Sequence, residues 1–323
     1  MLRRIVILAL ASLLFTSLAN AATDAKLVSM LDPSTRVVAG LNATAIKNTP
    51  LGKHLLSRTA NADLSRFIAA TGFDPRANLQ QVLFGSLGGA NEHQGIMLAK
   101  GTFVPAQVLA FAGKKSATIA AYHGVKVAEF AAFQDKRGRS HPARWLVFLS
   151  PTRAAFGSPE SVQHAIDRYV DNTAADASLA SSIAAHDRAD AWSLSTVPGS
   201  ELALSLPQSS NELVGLAATA LQSVEFHSAA VQFGSSGALV HGQAVTASSQ
   251  EALSLADRLR YMATVAETQA TQKQKPTLTN LIQKVAITTD GPNVNWSVQI
   301  PESQLEALAQ AHAQTHQPHK SAP

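Results

Sequence analysis

The stretch Val285 to Ile300 reads VAITTDGPNVNWSVQI. Within it Val294, Trp296, Val298 and Ile300 alternate strictly with Asn293, Asn295, Ser297 and Gln299. A period of two sends successive side chains to opposite faces of a strand, so one face is buried and the other is wet or functional. Val285 and Ile287 lead into Asp290-Gly291, a turn pair, and the stretch therefore reads as a β-hairpin. Its polar face (Asn293, Asn295, Ser297, Gln299) is the candidate ligand-binding surface, because amides there can hydrogen-bond a ligand. A solvated sheet face is the plainer reading.

Working outward, strands alternate with short helices. Arg36 to Leu41 is a strand, and Asn42 or Thr44 caps a helix through Ile46, Leu51, Leu55 and Leu56. Asp63 to Ala70 is a helix ended by Gly72, and Asp74-Pro75 starts another helical turn. Val82 to Leu87 and Gly95 to Lys100 read as paired strands, and Pro105 to Ala112 as a helix closed by Gly113. Ala117 to Tyr122 and Val125 to Phe130 form a hairpin on His123-Gly124; Trp145 to Leu149 and Arg153 to Phe156 form another. Ser158-Pro159-Glu160 opens a helix with the stripe Val162, Ala165, Ile166 and Tyr169.

The second half reads the same way. Asp190 to Val197 is a strand, and Ser209 with Glu212 makes a capping box for the helix carrying Leu213, Leu216, Ala217 and Ala220. Strands follow near Ala229 to Phe233 and Leu239 to Thr246. Ser248 with Glu251 caps a longer helix, Thr268 to Thr277 reads as a loop, and Pro301 starts a last helix. The expected class is α+β, antiparallel sheet with helices on one face, with an internal duplication of a split β-α-β-like unit. In this reading the hairpin Trp145 to Phe156 is the first half's extra piece. The expected division is 1–21, a signal peptide; 22–172, a first half; 173–188, a connector; 189–311, a second half; and 312–323, a His-containing tail.

Residues 1–21 read as a secretory leader. Arg3 and Arg4 form its basic end, Ile5 to Leu18 its apolar run and Ala19-Asn20-Ala21 its cleavage site. That run is too short to span a bilayer, which needs about 20 residues. A mature chain from near Ala22 then loses two of its 26 basic residues and stands close to neutral, although the whole chain carries +4. The expected location is periplasmic or secreted, with no stable membrane insertion after cleavage.

Several chemistries are excluded by composition. No cysteine means no disulfide, thiolate metal site or cysteine nucleophile, and 15% charged residues leave no basic surface for nucleic acid. The densest basic cluster, Lys136, Arg137, Arg139, His141 and Arg144, reads as a hairpin tip. No G-x-S-x-G, H-E-x-x-H or S-x-x-K pattern occurs, and Gly85 to Gly89 lacks phosphate-loop spacing. His312, His316 and His319 have spacing that suits a metal, but near a chain end they read as adventitious ligands rather than a built site. Asp187 and Asp190 around Arg188 read as solvated ion pairs or caps. No cofactor is expected.

The segments Arg36 to Asn42 (RVVAGLN), Tyr122 to Val127 (YHGVKV), Leu146 to Ile166, Trp192 to Gly199 (WSLSTVPG) and Val231 to Gly234 (VQFG) carry a resemblance. In them the chain resembles exported bacterial proteins of unknown function of the acidobacterial type. The resemblance implies compartment and fold, and brings no catalytic residues. The leading expectation is thus an exported protein without enzymatic activity, acting through binding or a structural role on an envelope or extracellular partner. The alternative is a hydrolase or ligand-binding enzyme whose site assembles only in three dimensions.

Overall fold

The computed structural model describes residues 22–49, 52, 53, 56, 62–88, 94–135, 138–206, 211–305 and 307. In the first half the chain forms α1 (Ala25–Ser29), β1 (Val37–Asn42), α2 (Ala43–Asn48), α3 (Ala62–Thr71), α4 (Pro75–Asn78), β2 (Leu79–Ser86), β3 (Gly95–Gly101) and α5 (Pro105–Lys114). Then come β4 (Thr118–Tyr122), β5 (Val125–Phe130), β6 (Phe133–Gln134), β7 (Ser140–His141), β8 (Arg144–Ser150), β9 (Arg153–Gly157) and α6 (Pro159–Val170). The rest is α7 (Ala177–Ala184), β10 (Ala191–Ser195), α8 (Gly199–Ser205), α9 (Glu212–Leu221), β11 (Phe226–Gly234) and β12 (Gly237–Val245), followed by α10 (Ser249–Gln272), α11 (Pro276–Gln283), β13 (Ala286–Asp290) and β14 (Asn293–Pro301).

The protein is α+β. One antiparallel sheet of 12 strands runs in the order β13-β14-β12-β11-β10-β1-β2-β3-β9-β8-β5-β4, with β6-β7 as a separate ribbon. The two halves meet where β1 pairs β10, Val38 opposite Leu194 and Gly40 opposite Trp192. Outward from that pair both halves have the same connectivity, because β9 returns beside β3 as β14 returns beside β12. The first half's extra hairpin is therefore β4-β5 at the sheet edge, not Trp145 to Phe156. Chain order hid this, since pairing is set by register and not by sequence position.

Helices lie on both faces, which corrects the expectation of one. Directly paired residues share a face, so Leu83, Leu98, Ala155, Val147 and Val127 point one way with Val38 and Leu194. They bury Leu27 and Leu31 from the segment of α1, Val162 and Ile166 of α6, and Leu179 and Ile183 of α7. The alternate residues are also apolar. Ala128 and Leu146 meet Leu109 and Ala112 of α5, while Ala244 and Val294 meet Leu255 and Ala256 of α10. Strands apolar on both sides need cover on both.

Local capping follows the sequence closely. Asn42, Asp74, Ser158 and Ser248 accept hydrogen bonds from the first turns of α2, α4, α6 and α10. His123 and Gly124 both take positive φ in the β4-β5 turn. Four expectations shift. Asn211, not Ser209, caps α9, and Ser209 lies outside the described residues. The connector holds α7, whose Leu179 and Ile183 are buried. The presumed loop from Thr268 continues α10 to Gln272, because Ala266 and Ala270 prolong its apolar stripe and Ala270 is buried. Helix α5 passes through Gly113 to Lys114. No helix among the described residues is long and apolar enough to cross a membrane.

Candidate functional site: an apolar trough

The polar strand face singled out by sequence lies on the side of β14 away from α10, and none of its residues lines the cavities described below. Asn295 pairs with Gln243 and Thr288, and Ser297 with His241 and Ala286, in cross-strand rows opposite the face that α10 covers. Gln243 donates from Nε2 to Asn295 Oδ1 at 3.0 Å. Asn293, Asn295 and Ser297 are half-buried and Gln299 is exposed. His312, His316 and His319 lie outside the described residues, and among those described no group of three metal-ligating side chains gathers.

The carboxylates read as solvated are partly structural. Asp190 is buried and accepts from the Phe233 amide at 2.7 Å, while Asp187 accepts from the Thr23 amide at 3.1 Å. Tucked against the sheet at the N-cap of α1, Asp24 meets Lys100 Nζ at 2.8 Å and Arg153 Nη2 at 3.0 Å. Burial alone would raise its pKa, but the hydrogen bonds from Lys100 and Arg153 outweigh this and hold the carboxyl below its usual range. Asp135 at the base of the β6-β7 ribbon pairs with Arg139 and His141; Lys136 and Arg137 are outside the described residues.

One arrangement has the look of catalysis. His164 Nδ1 lies 2.9 Å from Asp32 Oδ2, in a recess of about 120 Å³ that Ser34, Glu160 and Ser161 also line. Burial works to raise the Asp32 pKa, and hydrogen bonds from Ser34 and His164 lower it overall. A hydrolytic triad needs a hydroxyl on the far ring nitrogen. Ser34 instead donates to Asp32, and Ser161 accepts from Ser158 at 2.7 Å; among the described residues neither hydroxyl bonds the His164 ring.

Two larger concavities lie elsewhere, on the face opposite α1 and α6. Leu41, Val82, Ala99, Ala154 and Phe148 are directly paired in sequence across β1, β2, β3, β9 and β8. Ala39, Phe84, Met97, Phe156 and Leu146 make the next row. Small alanines sink the floor, and Phe67, Phe73, Phe103 and Phe148 wall it in an edge-to-face and tilted chain with centroids 5.2–6.3 Å apart. The result is a cavity of about 270 Å³ under α3 and α5. A second, of about 360 Å³, adjoins it at Pro75 and Leu79 and is lined by Leu41, Ile46, Lys47, Leu64 and Arg76.

Around them Leu41, Phe84 and Met97 stay 39%, 39% and 42% exposed. Both are half-open surface concavities rather than enclosed voids. The roof helix α3 buries only Thr71 among its residues. Sequence reading missed this site, because its floor comes from five strands spread between residues 41 and 154.

Fold and trough together define an α+β protein on one open sheet with a ligand-sized apolar recess. No family model matches the chain, and no curated protein does. Among solved structures it is similar to the Treponema protein TP0453, at 9% identity and a TM-score of 0.51, covering 88% of this chain and 97% of that one. A second crystal form of the same protein gives a TM-score of 0.47 at 9% identity. The likeness is one of fold.

Proposed function

We propose that the chain is an exported, non-enzymatic binding protein of the periplasm or cell exterior, whose ligand is apolar and sits in the trough over β2, β3, β9 and β8. The leader-like residues 1–21 support the compartment. One observation carries the binding role: an unfilled recess walled by Phe67, Phe73, Phe103 and Phe148, with almost no polar lining. Ligand pockets are mostly apolar and span roughly 300–1,000 Å³. An active site would instead gather perturbed titratable groups; of those whose pKa values shift, only Arg76, ion-paired to Asp74, lines the trough, while Asp24, Asp32, Tyr122 and His227 stand away from it.

The test is titration of the chain from Ala22 with N-phenyl-1-naphthylamine, a neutral dye that fluoresces in apolar surroundings. Saturable binding is expected, and Ala99→Phe, which fills the floor, should abolish it while circular dichroism stays unchanged. Dye uptake that is absent, or indifferent to Ala99→Phe, would refute the assignment.

A further inference from the structure

The trough has a direction. At its β8 end Phe148 packs against Phe103, and Phe73 and Phe67 follow in a tilted and edge-to-face chain. At its β1 end Lys47 of α2 and Arg76 of α4 join the lining. These two cations differ. Arg76 is held by Asp74, Nε to Oδ1 at 2.9 Å and Nη2 to Oδ2 at 2.8 Å. Lys47 Nζ donates to the Ala77 carbonyl at 3.1 Å, and no carboxylate lies within ion-pair distance of it among the described residues. Among the described lining residues, an ammonium with no carboxylate partner thus stands at one end of an apolar slot.

The slot's shape narrows the ligand further. Its floor crosses five adjacent strands, four spacings or about 19 Å. The two cavities adjoin, sharing Pro75 and Leu79, so that together they follow the row of strands. A compact apolar ring would fill one cavity and leave the other empty. A neutral hydrocarbon would make no use of Lys47.

We propose that the trough holds a single long-chain fatty acid, hydrocarbon tail toward Phe148 and Phe103 and carboxylate on Lys47 Nζ. The proposal rests on the apolar-binding reading above and adds to it the anionic head group and the chain's orientation. Opposite charge at the Lys47 end fixes which way the ligand lies, while the tail supplies most of the affinity.

The experiment uses the chain from Ala22, with cis-parinaric acid as fluorescent fatty acid and palmitate or hexadecanol as competitor. Palmitate should displace the probe from one site per chain. Lys47→Glu should weaken palmitate by about fivefold or more, the worth of one partly exposed ion pair, and leave hexadecanol unchanged. Equal competition by hexadecanol and palmitate, or a Lys47→Glu variant that binds palmitate like the parent, overturns the head-group assignment while the apolar-binding reading stands. Failure of every probe, the neutral dye included, overturns both. Adsorption to phosphatidylglycerol vesicles without uptake of free fatty acid also overturns the proposal, by assigning the acyl chain to a lipid surface.

Discussion

The backbone of Gly40 lies flat against the indole of Trp192, its direct cross-strand partner, so that a Cβ on Gly40 would stand 2.5 Å from both Cζ2 and Nε1 of the ring. The pair sits at the β1-β10 junction that joins the two halves. The same device recurs on the other face, where a Cβ on Gly242 would stand 2.5 Å from Cε2 and Cζ2 of Trp296. In both places the missing side chain makes room for a tryptophan at the next strand. Gly40→Ala should therefore cost about 2 kcal/mol through overpacking. Trp192→Leu makes room for the added methyl, and the double variant should be more stable than the sum of the singles allows. Thermal unfolding of the four proteins measures this, and strictly additive effects would rule out the clash.

Asp24 ties the start of the folded chain to the sheet. It caps α1 through the Lys26 amide at 3.0 Å and faces Lys100 and Arg153, with its own side chain only 9% exposed. Asp24→Asn keeps the cap and removes the charge that both cations share, at an expected cost of about 2 kcal/mol at neutral pH. The native carboxyl is held below its unfolded value, near 3.9. Its contribution is therefore complete above pH ~4 and disappears as pH falls through the lower native pKa. Acid titration of the unfolding midpoint should show a shallower decline in Asp24→Asn than in the parent, and parallel declines would exclude the role.

His227 makes the opposite kind of group. It stands on β11 between Ser195 and Ala244, and its Nδ1 is buried without a hydrogen-bond partner among the described residues. Burial lowers its pKa below the ordinary histidine value. Below pH ~6.5 the unfolded chain takes up a proton that the folded chain refuses. Stability should fall as pH drops from there and level off once the native pKa is passed. Urea midpoints compared near pH ~7.5 and pH ~5 should differ less for His227→Gln than for the parent.

How much of this was legible in the sequence depended on the range of the signal. Asn42, Asp74, Ser158 and Ser248 were readable as caps, since a cap and the amide it meets lie within three residues. The β14 alternation was readable because a period of two repeats inside one strand. Helices α7 and α8 were not, being short Ala- and Ser-containing segments; the buried Leu179 and Ile183 of α7 owe their burial to distant partners. The trough was beyond reach for a stronger reason. Ala99 and Ala154 look like ordinary strand residues, and only their pairing across β3 and β9 shows that together they lower one floor. The concentration of phenylalanines between Phe67 and Phe156 was the one available hint. It marked aromatic mass in the first half without telling core from recess.

That floor leads to the last prediction. A recess left open in a close-packed protein carries a standing loss of packing, because the lining atoms lack partners on one side. Ala154 is buried, belongs to the floor and packs in the cluster of Ala99, Phe103, Phe73 and Phe148. Ala154→Leu puts apolar atoms into empty space rather than into a filled core, so it should raise the stability of the ligand-free protein by about 1 kcal/mol. In a filled core the same change would destabilise by a comparable or larger amount. The variant should also bind N-phenyl-1-naphthylamine less well than the parent. Opposite signs in these two measurements are the signature of a cavity kept open for an occupant. Destabilisation by Ala154→Leu would mean the recess closes in solution, and unchanged dye binding would mean that the dye sits elsewhere.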